Sequence, residues 1–197
     1  MKKLFLLSIA FFSFSLAQAQ RAHYGLKAGI NASTLNVKNQ DVFEYKLGVH
    51  AGGLAHIHLT QHLALQPEIL YSNQGGKVRN ADVKHHVNYI SVPVLAQLMF
   101  GDGFRLQAGP QVSFLTGAKR QDENDNKLNI KQSYEAVDFS IAAGLSFVSS
   151  SGLGADVRWL FGLTNINDVP PRTPTKNSMG QLGVFYLLNY SNARHSH

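Results

Sequence analysis

From Tyr24 onward the chain alternates apolar and polar positions in steps of two, the mark of strands whose two faces meet different surroundings. Tyr24, Leu26, Ala28, Ile30 and Ala32 alternate with Gly25, Lys27, Gly29, Asn31 and Ser33. Tyr45, Leu47, Val49, Ala51, Ala55 and Ile57 stand against Gly48, His50, Gly52, His56 and His58. The same pattern returns around Leu63–Ser72, Tyr89–Phe100, Phe104–Phe114, Val137–Phe147, Leu153–Thr164 and Gln181–Leu188, so the pattern predicts eight strands. Alternation is weakest over Tyr89–Phe100, where Tyr89, Pro93 and Leu95 fall among the polar positions. No segment sustains a helical period, and the expected class is all-β.

The connections alternate as well. Asn36–Glu44, Gly75–His86, Gly117–Ala136 and Asn165–Asn177 are long, whereas Thr60–His62, Gly101–Gly103 and Ser149–Gly152 are short. Gly-Asp-Gly and Ser-Ser-Ser-Gly suit tight hairpins, since glycine takes positive φ without penalty. Strict long–short alternation predicts an eight-stranded antiparallel up-and-down barrel. Short periplasmic turns and long extracellular loops are the asymmetry of transmembrane β-barrels. The polar run Gln121–Asn126 and the Pro170-Pro171 stretch read as solvated loop.

Composition decides which face meets what. Only 15% of the 197 residues are charged and 17 are glycine, against about 25% charged in ordinary soluble domains. The polar face is therefore too poor in charge and too rich in glycine for a good soluble exterior. In a membrane barrel the apolar face turns to lipid and small or polar residues fill the inside. Eight strands leave an interior just wide enough for side chains to fill. Tyr24, Tyr45, Tyr71, Phe100, Phe104, Phe114, Phe139 and Phe147 lie near segment ends, where interfacial aromatic girdles belong. The alternative is a secreted, lipocalin-like ligand-binding barrel, which requires the polar face outside.

Met1–Gln20 supports export. Lys2 and Lys3 precede the apolar run Leu4–Leu16, and Ala17-Gln18-Ala19 offers small residues at the cleavage positions. The expected division is a signal peptide over 1–19, a barrel over 20–190 and a polar tail over 191–197. With no cysteine there is no disulfide framework, thiolate metal site or cysteine nucleophile. The net charge of +6 is spread along the chain without a long basic cluster, which argues against nucleic acid.

Several stretches resemble the PorT-type outer-membrane β-barrel proteins of Bacteroidetes. They are Gly25-Leu26-Lys27-Ala28-Gly29-Ile30-Asn31, Leu65-Gln66-Pro67-Glu68-Ile69-Leu70-Tyr71-Ser72 before Gly75-Gly76, and Asn88-Tyr89-Ile90-Ser91-Val92-Pro93. Leu106-Gln107-Ala108-Gly109-Pro110-Gln111 and Gly154-Ala155-Asp156-Val157-Arg158-Trp159, ending in Gly162-Leu163-Thr164-Asn165-Ile166, continue in the same order. The resemblance implies a small, monomeric outer-membrane barrel with no enzyme activity and no shared ligand. Barrels of this kind usually end on an aromatic residue; here Tyr190, expected to face outward, is followed by the tail Ser191–His197.

Candidate chemistry is confined to inward ionisable positions. With long loops extracellular, Glu68, Arg105, Asp156, Arg158, His56 and His58 fall in the periplasmic half of the lumen. Asp156 and Arg158, two apart, share a face. Unpaired buried charge is costly, so a salt-bridge network that plugs the barrel is expected, with a gated proton or ion path as the alternative. His50, His56 and His58 share one inward face, but zinc sites need three or four ligands and no carboxylate is brought near by spacing. A lipid-facing Ser/His hydrolase site finds only apolar residues at the required positions. No catalytic residue, cofactor or metal is expected. Outer-membrane lipid is the expected surrounding, and the long loop Lys119–Glu135 the place for contact with an envelope protein partner.

Overall fold

The computed structural model describes residues 22–37, 43–79, 83–123, 126–166 and 174–190. The signal-peptide region, the C-terminal tail with His195 and His197, and Pro170-Pro171 lie outside the described residues. Among the described residues there are ten strands: β1 (Ala22–Val37), β2 (Phe43–Glu44), β3 (Lys46–His58), β4 (Leu63–Val78), β5 (Lys84–Phe100), β6 (Phe104–Gln121), β7 (Lys127–Asn129), β8 (Val137–Val148), β9 (Leu153–Gly162) and β10 (Thr175–Leu187). Eight of them form a closed antiparallel meander in the order β1-β3-β4-β5-β6-β8-β9-β10, and β10 pairs back onto β1. The short β2 and β7 are appended to β4 and β6. Closure leaves no open edge in the barrel wall, which is the condition for burying a sheet in lipid.

The apolar set points outward. Leu26, Ile30, Leu47, Ile69, Leu106, Ile141, Val157, Leu182 and Val184 are all exposed, Leu47 to 75%. Lys27, Asn31, His50, Gln66, Glu68, Gln107, Asp156, Arg158 and Gln181 are buried inside. This inversion removes the lipocalin-like alternative, whose apolar face would line the lumen. The eight expected girdle aromatics are exposed, and they collect in two rings. Tyr24, Phe100, Phe104 and Phe147 sit at the short-turn end, and Tyr45, Tyr71, Phe114 and Phe139 at the other. The weak alternation of β5 has a physical cause: Val87, Tyr89 and Leu95 are buried inward, and Leu95 packs with Ala142, Leu160 and Met179 in an apolar layer of the lumen.

The long-loop end differs from expectation. The segment Gly75–His86, expected as a loop, is mostly sheet: β4 and β5 stay paired as far as Lys77 opposite Lys84. Likewise β6 continues to Gln121 and folds back as β7, followed by a single 3-10 turn over Lys131–Ser133. Above the lipid belt both faces of a strand meet polar surroundings, so the period-two apolar signal vanishes although the hydrogen-bonded ladder continues.

The wall is not uniform. Pro67 on β4, Pro93 on β5 and Pro110 on β6 have no N–H to give. Pairing of β3 with β4 skips Ala55 and His56, opposite Gln66 and Pro67. Pairing of β4 with β5 skips Glu68 and Ile69, opposite Val92 and Pro93. Pairing of β5 with β6 skips Val94 and Leu95, opposite Gly109 and Pro110. From β8 through β9 and β10 to β1 and β3 the register runs without interruption.

Candidate functional site

The inward positions of β1, β4 and β9 converge on four ionisable side chains. Arg158 donates from Nη1 to Glu68 Oε2 and from Nη2 to Glu68 Oε1, each at 2.9 Å, a bidentate pair spanning the lumen. Arg158 Nη2 also reaches the Asp156 carboxylate. Lys27 donates its ammonium to Asp156 and lies 3.8 Å from Glu68 Oε2. All four side chains are fully removed from solvent. Two cations and two carboxylates cancel, so the cluster leaves no net charge buried in the lumen.

Amides extend the cluster. Gln66 Nε2 donates to Glu68 Oε1 at 2.7 Å, and Gln97 Nε2 lies 3.0 Å from both Gln66 Oε1 and Gln107 Oε1. Toward the long-loop end the polar packing continues. His50 Nδ1 meets Asn31 Oδ1 at 2.7 Å, Gln181 Nε2 donates to Asn31 Oδ1 at 3.1 Å, and Asn31 Nδ2 donates to Ser72 Oγ at 3.0 Å. Asp138 accepts from Thr164 Oγ1 at 2.6 Å. A cavity of about 10 Å³ lies beside Asp138, Gln111 and Asn177, which is room for about one water.

Of the residues singled out from sequence, Glu68, Asp156 and Arg158 are brought together. Arg105, His56 and His58 lie together at the short-turn end. Arg105, 1% exposed, has its Nη1 3.4 Å from His56 Nδ1, donates from Nη2 to Tyr190 Oη at 3.2 Å, and lies 5.8 Å from the centre of the Tyr190 ring. The His56 and His58 rings meet edge to face with centroids 4.5 Å apart, and His23 stands 5.8 Å from His58. A guanidinium beside His56 Nδ1 repels a metal ion at the same ring, and no metal-holding group of acids and histidines occurs among the described residues.

Two readings are corrected here. Tyr190 is not an outward aromatic: the chain turns at Asn189, whose φ is 56°, and folds the ring inward beneath Arg105 and against His23. Lys27 is the member of the expected network that sequence reasoning left out. Its signal was present, since Lys27 is the one cation among the inward positions of β1, but nothing in the spacing tied it to β9.

At the long-loop end, β5, β6 and the turn after β7 form a small apolar pack of Val87, Tyr89, Leu115 and Ala118 with Ile130 and Tyr134. His85 Nδ1 meets Tyr134 Oη at 2.8 Å, and the Phe43 ring stands edge-on to the imidazole at 5.4 Å. Burial, with Arg120 and His86 nearby, holds the His85 imidazole below the ordinary histidine range. Burial raises the Tyr134 phenol above its usual value.

Comparison with known proteins places this architecture. Residues 16–168 match the family model described as outer membrane protein beta-barrel domain. No match is found among curated protein sequences. Among solved structures, Neisserial surface protein A superposes with a TM-score of 0.59 at 11% identity, covering 84% of this chain and 98% of that one. The attachment invasion locus protein Ail of Yersinia pestis gives 0.53 at 13% identity, covering 85% and 99%. The same protein in complex with the heparin analogue sucrose octasulfate gives 0.52 at 13% identity, again covering 85% and 99%. At such identities the likeness is one of fold.

Proposed function

Because the chain belongs to the outer membrane protein beta-barrel domain family, and is an outer-membrane β-barrel, we propose that it is an exported, non-enzymatic barrel of PorT type. In this reading it acts in the envelope as a structural element and docks a protein partner through its extracellular hairpins. Signal cleavage after Ala19 delivers it, and it works as a monomer.

The observation that carries this reading is the filled lumen. Lys27, Glu68, Asp156 and Arg158 compensate one another in the middle of the barrel, amides pack around them, and a wall of eight strands has no width left for a channel. The histidine contacts favour a non-catalytic role as well. His50 bonds Asn31, His56 faces Arg105, His85 bonds Tyr134 and His86 bonds Gln121, none of them an arrangement that activates a nucleophile. What remains for interaction is the long-loop end, where β4 to β7 project past the apolar belt.

Washed membranes solubilised in detergent and run on SDS gels with and without boiling test this. A heat-dependent shift of protein from the membrane pellet is expected. Recovery in the soluble fraction without a shift, or ion conductance by the reconstituted protein, overturns the reading.

A further inference from the structure

The lumen holds a buried carboxylate that the central charge cluster does not serve. Asp138, 3% exposed, points inward from β8. Register places it. Gly144, Ala142 and Ser140 of β8 stand opposite Arg158, Leu160 and Gly162 of β9, so Asp138 is the next inward position beyond Ser140. The apolar layer of Leu95, Ala142, Leu160 and Met179 therefore lies between Asp138 and the four central charges. Those four already cancel one another.

What surrounds Asp138 is neutral. The Thr164 hydroxyl donates to it at 2.6 Å, Ser113 is its pair on β6, and among the described residues no lysine or arginine forms an ion pair with it. The cavity of about 10 Å³ beside it is lined by Gln74, Gln111, Ser140 and Asn177, with Leu160 and Met179 beneath. Gln111, 3% exposed, gives its Nε2 to Ser113 Oγ at 3.1 Å. Asn177, 7% exposed, gives its Nδ2 to Gln74 Oε1 at 2.6 Å. The amide donors are thus engaged, while Gln111 Oε1 and Asn177 Oδ1 are buried without a hydrogen-bond partner among the described residues.

Two orphaned carbonyl oxygens and a carboxylate around so small a space make a set of hard oxygen donors. A water fits the volume, but it brings no charge, and a buried carboxylate without a counter-charge is costly. A dehydrated monovalent cation satisfies both carbonyls and cancels the carboxylate at once. A divalent ion would leave a positive excess in the lumen, and calcium takes about six to eight oxygens. We propose that Asp138, Gln111 and Asn177 hold a single monovalent alkali cation in the long-loop half of the lumen. The ion fastens β6, β8 and β10 to one another. It is a resident ion and not a permeating one, since the apolar layer closes the lumen beneath it.

Urea unfolding of the full-length barrel, refolded in zwitterionic detergent and followed by the fluorescence of Trp159, the single tryptophan, tests this. Sodium, potassium and choline chloride are compared at equal ionic strength. The midpoint is expected to rise saturably with sodium or potassium and to stay flat in choline chloride, whose ion is too large for the cavity. D138N loses the alkali-ion response while the heat-dependent gel shift persists, which separates lost binding from lost folding. Q111M, which removes one oxygen and no charge, raises the half-saturating concentration by about tenfold. R172Q, in the β9–β10 connection outside the described residues, responds as the unsubstituted chain does. Equal midpoints in all three salts overturn the proposal and leave the cavity to water. So does an alkali-ion response that survives in D138N, or one that R172Q abolishes, which would make that side chain the counter-ion. Calcium chloride stabilising at lower concentration than sodium, through Asp138, would assign a divalent site and overturn it too.

Discussion

Arg158 on β9 and Glu68 on β4 are 90 residues apart and meet across the lumen, both guanidinium Nη atoms donating to the two carboxylate oxygens at 2.9 Å. The two strands are not neighbours in the sheet, so this pair ties opposite walls together. Lys27 and Asp156 complete the compensation from β1 and β9.

Removing Arg158 leaves two buried carboxylates to one ammonium. Breaking a buried pair costs about 3–5 kcal/mol, and R158A is expected to lose stability of that order in urea unfolding of the refolded barrel. R158M combined with E68M should regain most of it, because both charges leave together. A single-variant loss under about 1 kcal/mol would contradict the assigned pairing.

Val94 is an outward residue of β5, opposite Pro67 of β4 in the middle of the apolar belt. An arginine there must enter hydrocarbon, at a cost of about 2–4 kcal/mol. V94R should therefore fold poorly into bilayers, measured as the fraction showing the heat-dependent gel shift. Folding equal to that of the unsubstituted chain would mean that this face does not meet lipid.

Gly183 makes room for the charge cluster. A Cβ at that position would stand 2.6 Å from Asp156 Oδ1 and 2.8 Å from Lys27 Cε. G183V is expected to push Lys27 away from Asp156 and to destabilise by about 1–3 kcal/mol, as overpacking does. V184A, its outward neighbour, serves as the control. The idea fails if the two variants unfold at the same urea concentration.

His85 supplies a pH dependence at the long-loop end. Its folded-state pKa is depressed, first by burial and then by Arg120 and His86. With Tyr134 packed against it the imidazole stays neutral, while one released from that contact protonates at the ordinary value of 6.5. The contribution to holding the 130–135 turn in place is full above that value and declines as pH falls below it toward the depressed pKa. Amide exchange over residues 130–135, corrected for intrinsic rates, should be faster at pH 5.5 than at pH 7.5, at pH values chosen about one unit either side of an ordinary histidine. H85Q should flatten the difference.

The eight barrel strands and the orientation of their faces were legible because lipid and lumen impose opposite demands on alternate residues. Glu68, Asp156 and Arg158 were legible as inward charges for the same reason. Their partnership was not, since contacts across a lumen depend on barrel stagger and diameter rather than on spacing along the chain. That is why Lys27 was overlooked. Tyr190 was misread because a single positive-φ residue, Asn189, reverses the direction in which alternation would have sent it. The extended β4–β5 and β6–β7 pairings carried no apolar signal at all.

Three prolines in adjacent strands give the tube unequal stiffness around its circumference. The arc from β8 through β9 and β10 to β1 resists deformation as a continuous ladder, whereas the arc holding Pro67, Pro93 and Pro110 is a compliant sector. Thickness changes and lateral pressure in the surrounding bilayer will be absorbed there, making the cross-section elliptical rather than uniformly narrower. Amide exchange should reveal this as earlier labelling at Val92 and Leu95 than at Leu145 and Val157, and uniform labelling around the ring would show that the sector is as rigid as the rest.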